Sequence, residues 1–203
     1  MLFCIGAAVG LAGSAVGDSL SSSLGLGGFF APTTARVAQD LPPEKLGPPP
    51  AAPPPSPPVT RHYVPDRAHA RDLLIAASRR QGLNPNFVLA VAWWESGWDQ
   101  AEVSPTGAVG LMQIEPQTAA GAGPALLGRS VDIRDPADNA LLGAALLHQY
   151  LLEFRDGRLA LAAYYQGEPA TRAQGILAGS RDYVDGIWQL FRWLQAGNSL
   201  PVS

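Results

Sequence analysis

Little in this chain points to metals, disulfides or nucleic acid. It has one cysteine, Cys4, and three scattered histidines, His62, His69 and His148. A lone cysteine excludes an internal disulfide framework, and these residues lack the spacing of a zinc site. Lys45 is the single lysine; the other cations are arginines, and Lys+Arg total 14 against 17 Asp+Glu. With a net charge of −3 and no basic stripe, nucleic acid is an unsuited partner. Charged residues make up only 15% of the 203 positions, and apolar ones 47%. That is apolar material for one real core. No internal repeat is evident, and no convincing alternating strand.

Three regions follow along the chain. Residues 1–30 are apolar, rich in small residues and free of Lys and Arg. They carry the apolar stretch of an export signal, with Ala15-Val16-Gly17 as a cleavage site, but lack the basic start. Gly residues and Asp18 interrupt the run, which argues against a stable membrane-spanning helix. Export signal or weak anchor is the favoured reading, and a disordered start the alternative. Residues 31–62 read as a disordered Pro-rich linker. Ten prolines lie within 42–58, a composition that favours polyproline II. Such a stretch would span roughly 50 Å as a semi-stiff tether; an inert tail or an SH3-type ligand is the plainer alternative.

Residues 63–196 read as one helical domain, with 197–203 as a tail. The stretch 66–81 sets Ala70, Leu73, Leu74 and Ala77 at helical spacing, with Gly82 as a stop. Asn84-Pro85 opens the next helix, cap followed by a proline at its first position. That helix breaks near Gly97. A short helix is expected over 116–121, a long one from Asp135-Pro136 to about Phe154, ended by Asp156-Gly157, and further helices over 158–166, 169–178 and 181–195. A short extended piece fits 108–114.

Glu95 sits near the end of an otherwise apolar helix, in AVAWWESGW. Val88, Val91 and Ala92 precede it by seven, four and three residues, so it shares their inward stripe. Desolvation there would raise the carboxyl pKa, and a carboxylic acid that keeps its proton near neutrality can protonate a leaving oxygen. Taken alone, the helix favours a plainer reading, a buried Glu paired with an arginine.

The surroundings shift that balance. Glu95-Ser96-Gly97-Trp98, followed by Val103-Ser104-Pro105-Thr106-Gly107-Ala108-Val109-Gly110-Leu111-Met112-Gln113-Ile114, resembles the signature of the soluble lytic transglycosylase family. The resemblance continues through Asp135-Pro-Ala-Asp-Asn139, Leu161-Ala-Ala-Tyr164 and Arg181-Asp182-Tyr183-Val184, covering about 66–190. Ala163-Tyr164-Tyr165-Gln166-Gly167 looks most like the actinobacterial branch. The resemblance implies a mainly α, lysozyme-like domain with a saccharide groove, and cleavage of peptidoglycan between N-acetylmuramic acid and N-acetylglucosamine. It implies Glu95 as catalytic acid and base, and Ser104 and Gln113 as cleft residues that hydrogen-bond substrate. Tyr164 matches the tyrosine whose hydroxyl helps hold the catalytic carboxyl, and Tyr183 a second cleft aromatic.

Further residues carry alternatives. Gly107 and Gly110 allow a tight turn beside a ligand or an ordinary surface turn. Gln113 offers donor and acceptor to an N-acetyl group, or starts a helix. Met112 is grouped with the substrate-binding residues, a core position being equally consistent. One of Trp93, Trp94 and Trp98 is expected to touch substrate, with Trp188 and Trp193 in packing.

By the same resemblance one carboxylate suffices, where a typical glycosidase needs two. The acid protonates the bridging oxygen, the N-acetyl group assists, and the carboxylate then draws the proton from the C6 hydroxyl that closes a 1,6-anhydro ring. No metal or cofactor is required. Two positions depart from the family pattern: Tyr165 stands where asparagine is frequent, and Glu115 where methionine is. A second acid near the groove could activate water, so a hydrolytic muramidase of goose-type lysozyme kind is one alternative. A non-catalytic peptidoglycan-binding module is another. The expected setting is an exported, monomeric enzyme at the cell envelope, with membrane association through the N-terminus left open.

Overall fold

The helix starts expected at Asn84-Pro85 and Asp135-Pro136 form in the computed structural model, which describes residues 62–202, and Asp66 caps a third helix. Asp66 accepts from the His69 N–H at the start of α1 (Arg67–Arg80). Asn84 accepts from the Asn86 N–H, with Pro85 at the first position of α2 (Pro85–Ser96). Asp135 accepts from the Asp138 N–H ahead of α4 (Pro136–Phe154). In each case a short polar side chain satisfies an N–H that the helix itself cannot. Between them lies α3 (Pro116–Leu127), and after them α5 (Gly157–Gln166), α6 (Glu168–Gln174), a 3₁₀ turn at Ala178–Ser180 and α7 (Arg181–Gln195).

The central helix is α4, buried almost continuously from Asn139 to Leu147 and packed by α1, α3 and α5. A second apolar helix, α2, buries Phe87 through Ala92 against α1 and α7. α2 and α7 run antiparallel. Asn86 Nδ2 donates to Gln195 Oε1 at 2.7 Å at one end, and Tyr183 reaches Glu95 at the other. Phe87 and Phe191 meet edge to face between these ends, ring centroids 5.4 Å apart. The expected extended piece exists only as isolated antiparallel bridges, Val103 with Val109 and Val109 with Ile114.

The structure corrects three expected helix bounds. The helix expected over 116–121 runs to Leu127. Gly121, Gly123 and Pro124 are poor helix formers, but tertiary contact overrides propensity where Gly123 lies close against Val131. Asp156-Gly157 starts α5 rather than ending α4, which closes at Arg155 in the left-handed region, φ 51°. The helix expected over 169–178 stops at Gln174, before Gly175 at φ 68°. Leu200, in the stretch read as a tail, packs against the core. The export or anchor reading of 1–30, and the linker apart from His62, fall outside the described residues.

Candidate active site

Glu95 is the penultimate residue of α2, half-buried, with Gly97 closing the helix in the left-handed conformation at φ 63°. Its inward stripe is as the spacing predicts: Val88, Val91 and Ala92 are wholly buried. The tyrosine hydroxyl of Tyr183, at the start of α7, donates to Glu95 Oε1 at 2.5 Å. Tyr183 is itself buried and stacks on Tyr165 of α5, with centroids 4.4 Å apart and planes 20° from parallel. A residue of α5 thus backs the tyrosine that α7 brings to the carboxyl of α2.

The other side of the site is the loop after α2. Its anchors are two buried amide side chains. Gln100 accepts from the Leu111 N–H at 3.1 Å and donates to the carbonyls of Ile133 and Arg134. Asn139 accepts from the Met112 N–H at 2.9 Å and donates to the carbonyls of Val109 and Ile133. Gly110 sits between them at φ 78°, where a Cβ would lie 2.5 Å from Gln100 Oε1. No other residue type fits that spacing and that backbone. Ser96, beside the acid, donates to the Leu111 carbonyl at 3.0 Å and so ties the helix end to the loop.

A model of the transglycosylase SLT domain matches residues 72–191, a span holding Glu95, the loop and Tyr183. The chain belongs to this family. Over 127 residues it is 38% identical to a protein of Enterobacteria phage PRD1 named "Transglycosylase", covering 63% of this chain and 44% of that one. Over 126 residues it is 29% identical to the soluble lytic murein transglycosylase of Salmonella typhimurium, covering 57% of this chain and 18% of that one. Thus the chain spans less than half the length of either relative. Among solved structures, an inactive Glu→Gln mutant of the lytic transglycosylase Slt from Pseudomonas aeruginosa superposes with a TM-score of 0.56 at 25% identity, over 65% of this chain and 25% of that one. The 70 kDa soluble lytic transglycosylase of Escherichia coli gives 0.54 at 25% identity, over 61% and 24%. The fold is that of the SLT domain.

Within this SLT domain, the residues singled out from sequence take different places. Ser104 is half-buried; its Oγ accepts from the Ala108 N–H at 3.0 Å and pairs with Thr106 Oγ1, shaping the turn that contains Gly107. Gln113 adopts φ 45°, and its amide donates to the carbonyls of Glu102 and Gly110. Tyr164 donates to the Met112 carbonyl at 2.8 Å, and Tyr183 supplies a hydroxyl to the carboxyl.

Met112 requires a correction. Its side chain is wholly buried, and a Cβ at Gly143 of α4 would lie 2.6 Å from it, so it is core and its contribution to the site is its backbone. Trp98 is likewise core, 1% exposed, with its indole N–H on the Leu89 carbonyl. Trp93 lies under the Arg67 guanidinium, and Trp94 packs against Gly186. Trp193, expected in packing, is 43% exposed. Glu115 stands at the N-cap of α3 without a side-chain capping bond. A groove of about 630 Å³ runs beside the loop, lined in part by Val103, Gly107, Pro116 and Arg134; Glu95 is not among its lining residues. Among the described residues, no group of three or more His, Cys, Asp or Glu is placed to hold a metal.

Sequence reasoning missed Ser96, Gln100 and Gly186. Ser96 had a signal, adjacency to the acid. The amide of Gln100 and the contact at Gly186 act across 33 and 92 positions respectively, and no local pattern encodes such pairings.

Proposed function

We propose that this SLT-domain chain is a lytic transglycosylase that cuts the β-1,4 bond between N-acetylmuramic acid and N-acetylglucosamine in peptidoglycan, leaving a 1,6-anhydromuramic end. The observation that carries the reading is a half-buried carboxyl, Glu95, oriented by the Tyr183 hydroxyl at 2.5 Å. The names of the relatives support the reaction class, and the inactive Glu→Gln mutant of the Pseudomonas aeruginosa neighbour supports a glutamate as its centre.

In this mechanism the protonated Glu95 gives its proton to the bridging oxygen as the C1–O bond breaks. Positive charge builds on C1, where the sugar's own N-acetyl group assists. The Glu95 carboxylate then takes the proton of the C6 hydroxyl, whose oxygen bonds to C1. Attack from within one sugar gains from proximity, and no water is consumed. Tyr183 limits rotation of the carboxyl during both transfers. Ser104, Gln113 and Tyr164 shape the loop against which the glycan lies, and direct contacts from Ser104 and Gln113 to N-acetyl or hydroxyl groups complete the cleft.

The same reading places the enzyme at the cell envelope as a monomer. The apolar composition of 1–30 supports export or weak membrane association, and the prolines of 42–58 support a tether. One relative is named a membrane-bound lytic murein transglycosylase. No helix among the described residues is long and apolar enough to cross a membrane. Ala163-Tyr164-Tyr165-Gln166-Gly167 supports an actinobacterial affiliation within the family. Digestion of purified peptidoglycan with mass spectrometry of the products tests the activity. Anhydromuramic ends are expected; reducing ends would transfer the protein to the hydrolytic muramidases, and intact strands would leave a binding module.

A further inference from the structure

Tyr183 reaches Glu95 because α7 lies close to α2, and one tight contact between the two helices lies immediately beside that pair. Trp94 immediately precedes Glu95 on α2, and its six-membered ring lies over the backbone of Gly186 on α7. A Cβ built at Gly186 would fall 2.1 Å from Trp94 Cη2 and 2.4 Å from Cζ3. Gly186 is three residues after Tyr183, so both occupy the same face of α7. Glu95–Tyr183 and Trp94–Gly186 are therefore adjacent rungs of one helix pair. The indole N–H of Trp94 is buried without a hydrogen-bond partner among the described residues. What the ring contributes here is its bulk and reach.

We infer that Gly186 is a positioning residue for the proposed reaction, resting on the reading of Glu95 as its acid and base. By lacking a side chain it lets α7 close on the Trp94 ring until the Tyr183 hydroxyl meets the Glu95 carboxyl. A methyl group at 186 displaces either the ring or the helix by about an ångström, since non-bonded carbon atoms settle near 3.5–4.0 Å. A hydrogen bond of 2.5 Å lengthened by that amount is lost or nearly so. The helix tolerates alanine at this position on propensity grounds, so the loss is confined to the alignment.

The test is a double-mutant cycle on glycan-strand cleavage with Gly186→Ala, Tyr183→Phe and the two combined. Gly186→Ala is expected to lower kcat about tenfold with KM within about twofold, the size expected from one hydrogen bond to a reacting carboxyl. Adding it to Tyr183→Phe should cost nothing further, because its route of action is already gone. Adding Trp94→Phe, a smaller ring, to Gly186→Ala should restore kcat, and this pair serves equally if Gly186→Ala alone fails to fold. Full activity of Gly186→Ala, or losses that add in the double variant, would overturn the inference. Should the wild-type protein leave glycan strands uncut, the proposed function fails instead, and crystal structures of wild type and Gly186→Ala decide the positioning claim. An unchanged Tyr183 to Glu95 distance then refutes it, and a separation beyond hydrogen-bond range upholds it.

Discussion

Two walls meet at Glu95, and they are built by opposite means. The loop wall, 97–115, is irregular backbone held by buried amides, with Gln100 and Asn139 pairing N–H and carbonyl groups of the loop and of Ile133. The helical wall, α5 and α7, satisfies its own backbone and meets the site through rings: Tyr165 on Tyr183, and Trp94 on Gly186. Irregular backbone in a buried place must have its polar groups paired, so its supports are fixed in number and direction. Rings packed between helices can shift by fractions of an ångström without leaving anything unpaired. Damage to the loop wall should therefore appear as lost stability, and damage to the helical wall as lost alignment of the acid.

The carboxyl itself is common to both walls and gives the largest effect. Glu95→Gln keeps the shape but holds no transferable proton, and strand cleavage should fall by about a thousandfold or more, within the range for general acid–base catalysis. Its circular dichroism and melting temperature should match the wild type; substantial residual cleavage would remove Glu95 from the chemistry. Next is the loop wall. Asn139→Leu leaves the buried Met112 N–H without its partner, while the Val109 carbonyl keeps the Ile114 N–H, and should cost about 2 kcal/mol of stability in urea unfolding. A loss below about 1 kcal/mol would mean that water reaches that N–H and the wall is not sealed. The contrast sharpens with Tyr183→Phe, which removes one hydroxyl from the helical wall. It should lower kcat about tenfold while leaving the melting temperature nearly unchanged, since the stacked ring remains. A variant that melts early but turns over normally would reverse the assignment of the two walls.

The same division explains what could be read from the sequence. The helix starts at Asn84 and Asp135 were legible because each side chain satisfies an N–H two or three residues away, a purely local act. The inward facing of Glu95 was legible because helical period alone decides it. The end of α4 was not, because Arg155 takes a left-handed φ of 51° without being glycine, and Asp156 serves equally as a stop or as a cap. Met112 was ambiguous for a different reason. An apolar residue beside Gln113 suits core or cleft, and only Gly143, on a helix distant in sequence, makes the room that buries it. Family resemblance named both tyrosines as residues of the site. That the Tyr183 hydroxyl reaches Glu95 depends on the approach of α2 and α7, and the partners are 88 positions apart.

The smallest expected effect tests how far the loop wall's polar support extends outward. Asp138, next to Asn139 on α4, accepts from Arg129 and from the Asp132 N–H, pinning 129–132 behind the loop. The hydrogen bond from Arg129 is the main reason its carboxyl titrates below the ordinary 3.8, against an opposing push from partial burial. A carboxylate depressed by folding contributes stability that is complete above its unfolded value and disappears as pH falls through the lower folded one. The wild-type melting temperature should therefore decline between about pH 5 and pH 2 more steeply than that of Asp138→Asn, which has no such charge to lose. The Arg129 guanidinium is exposed to solvent, so the difference should be only about 2 °C and should shrink in high salt. Parallel acid limbs at low ionic strength would show that the support ends at the buried amides, and that the loop wall stands without its outer ion pair.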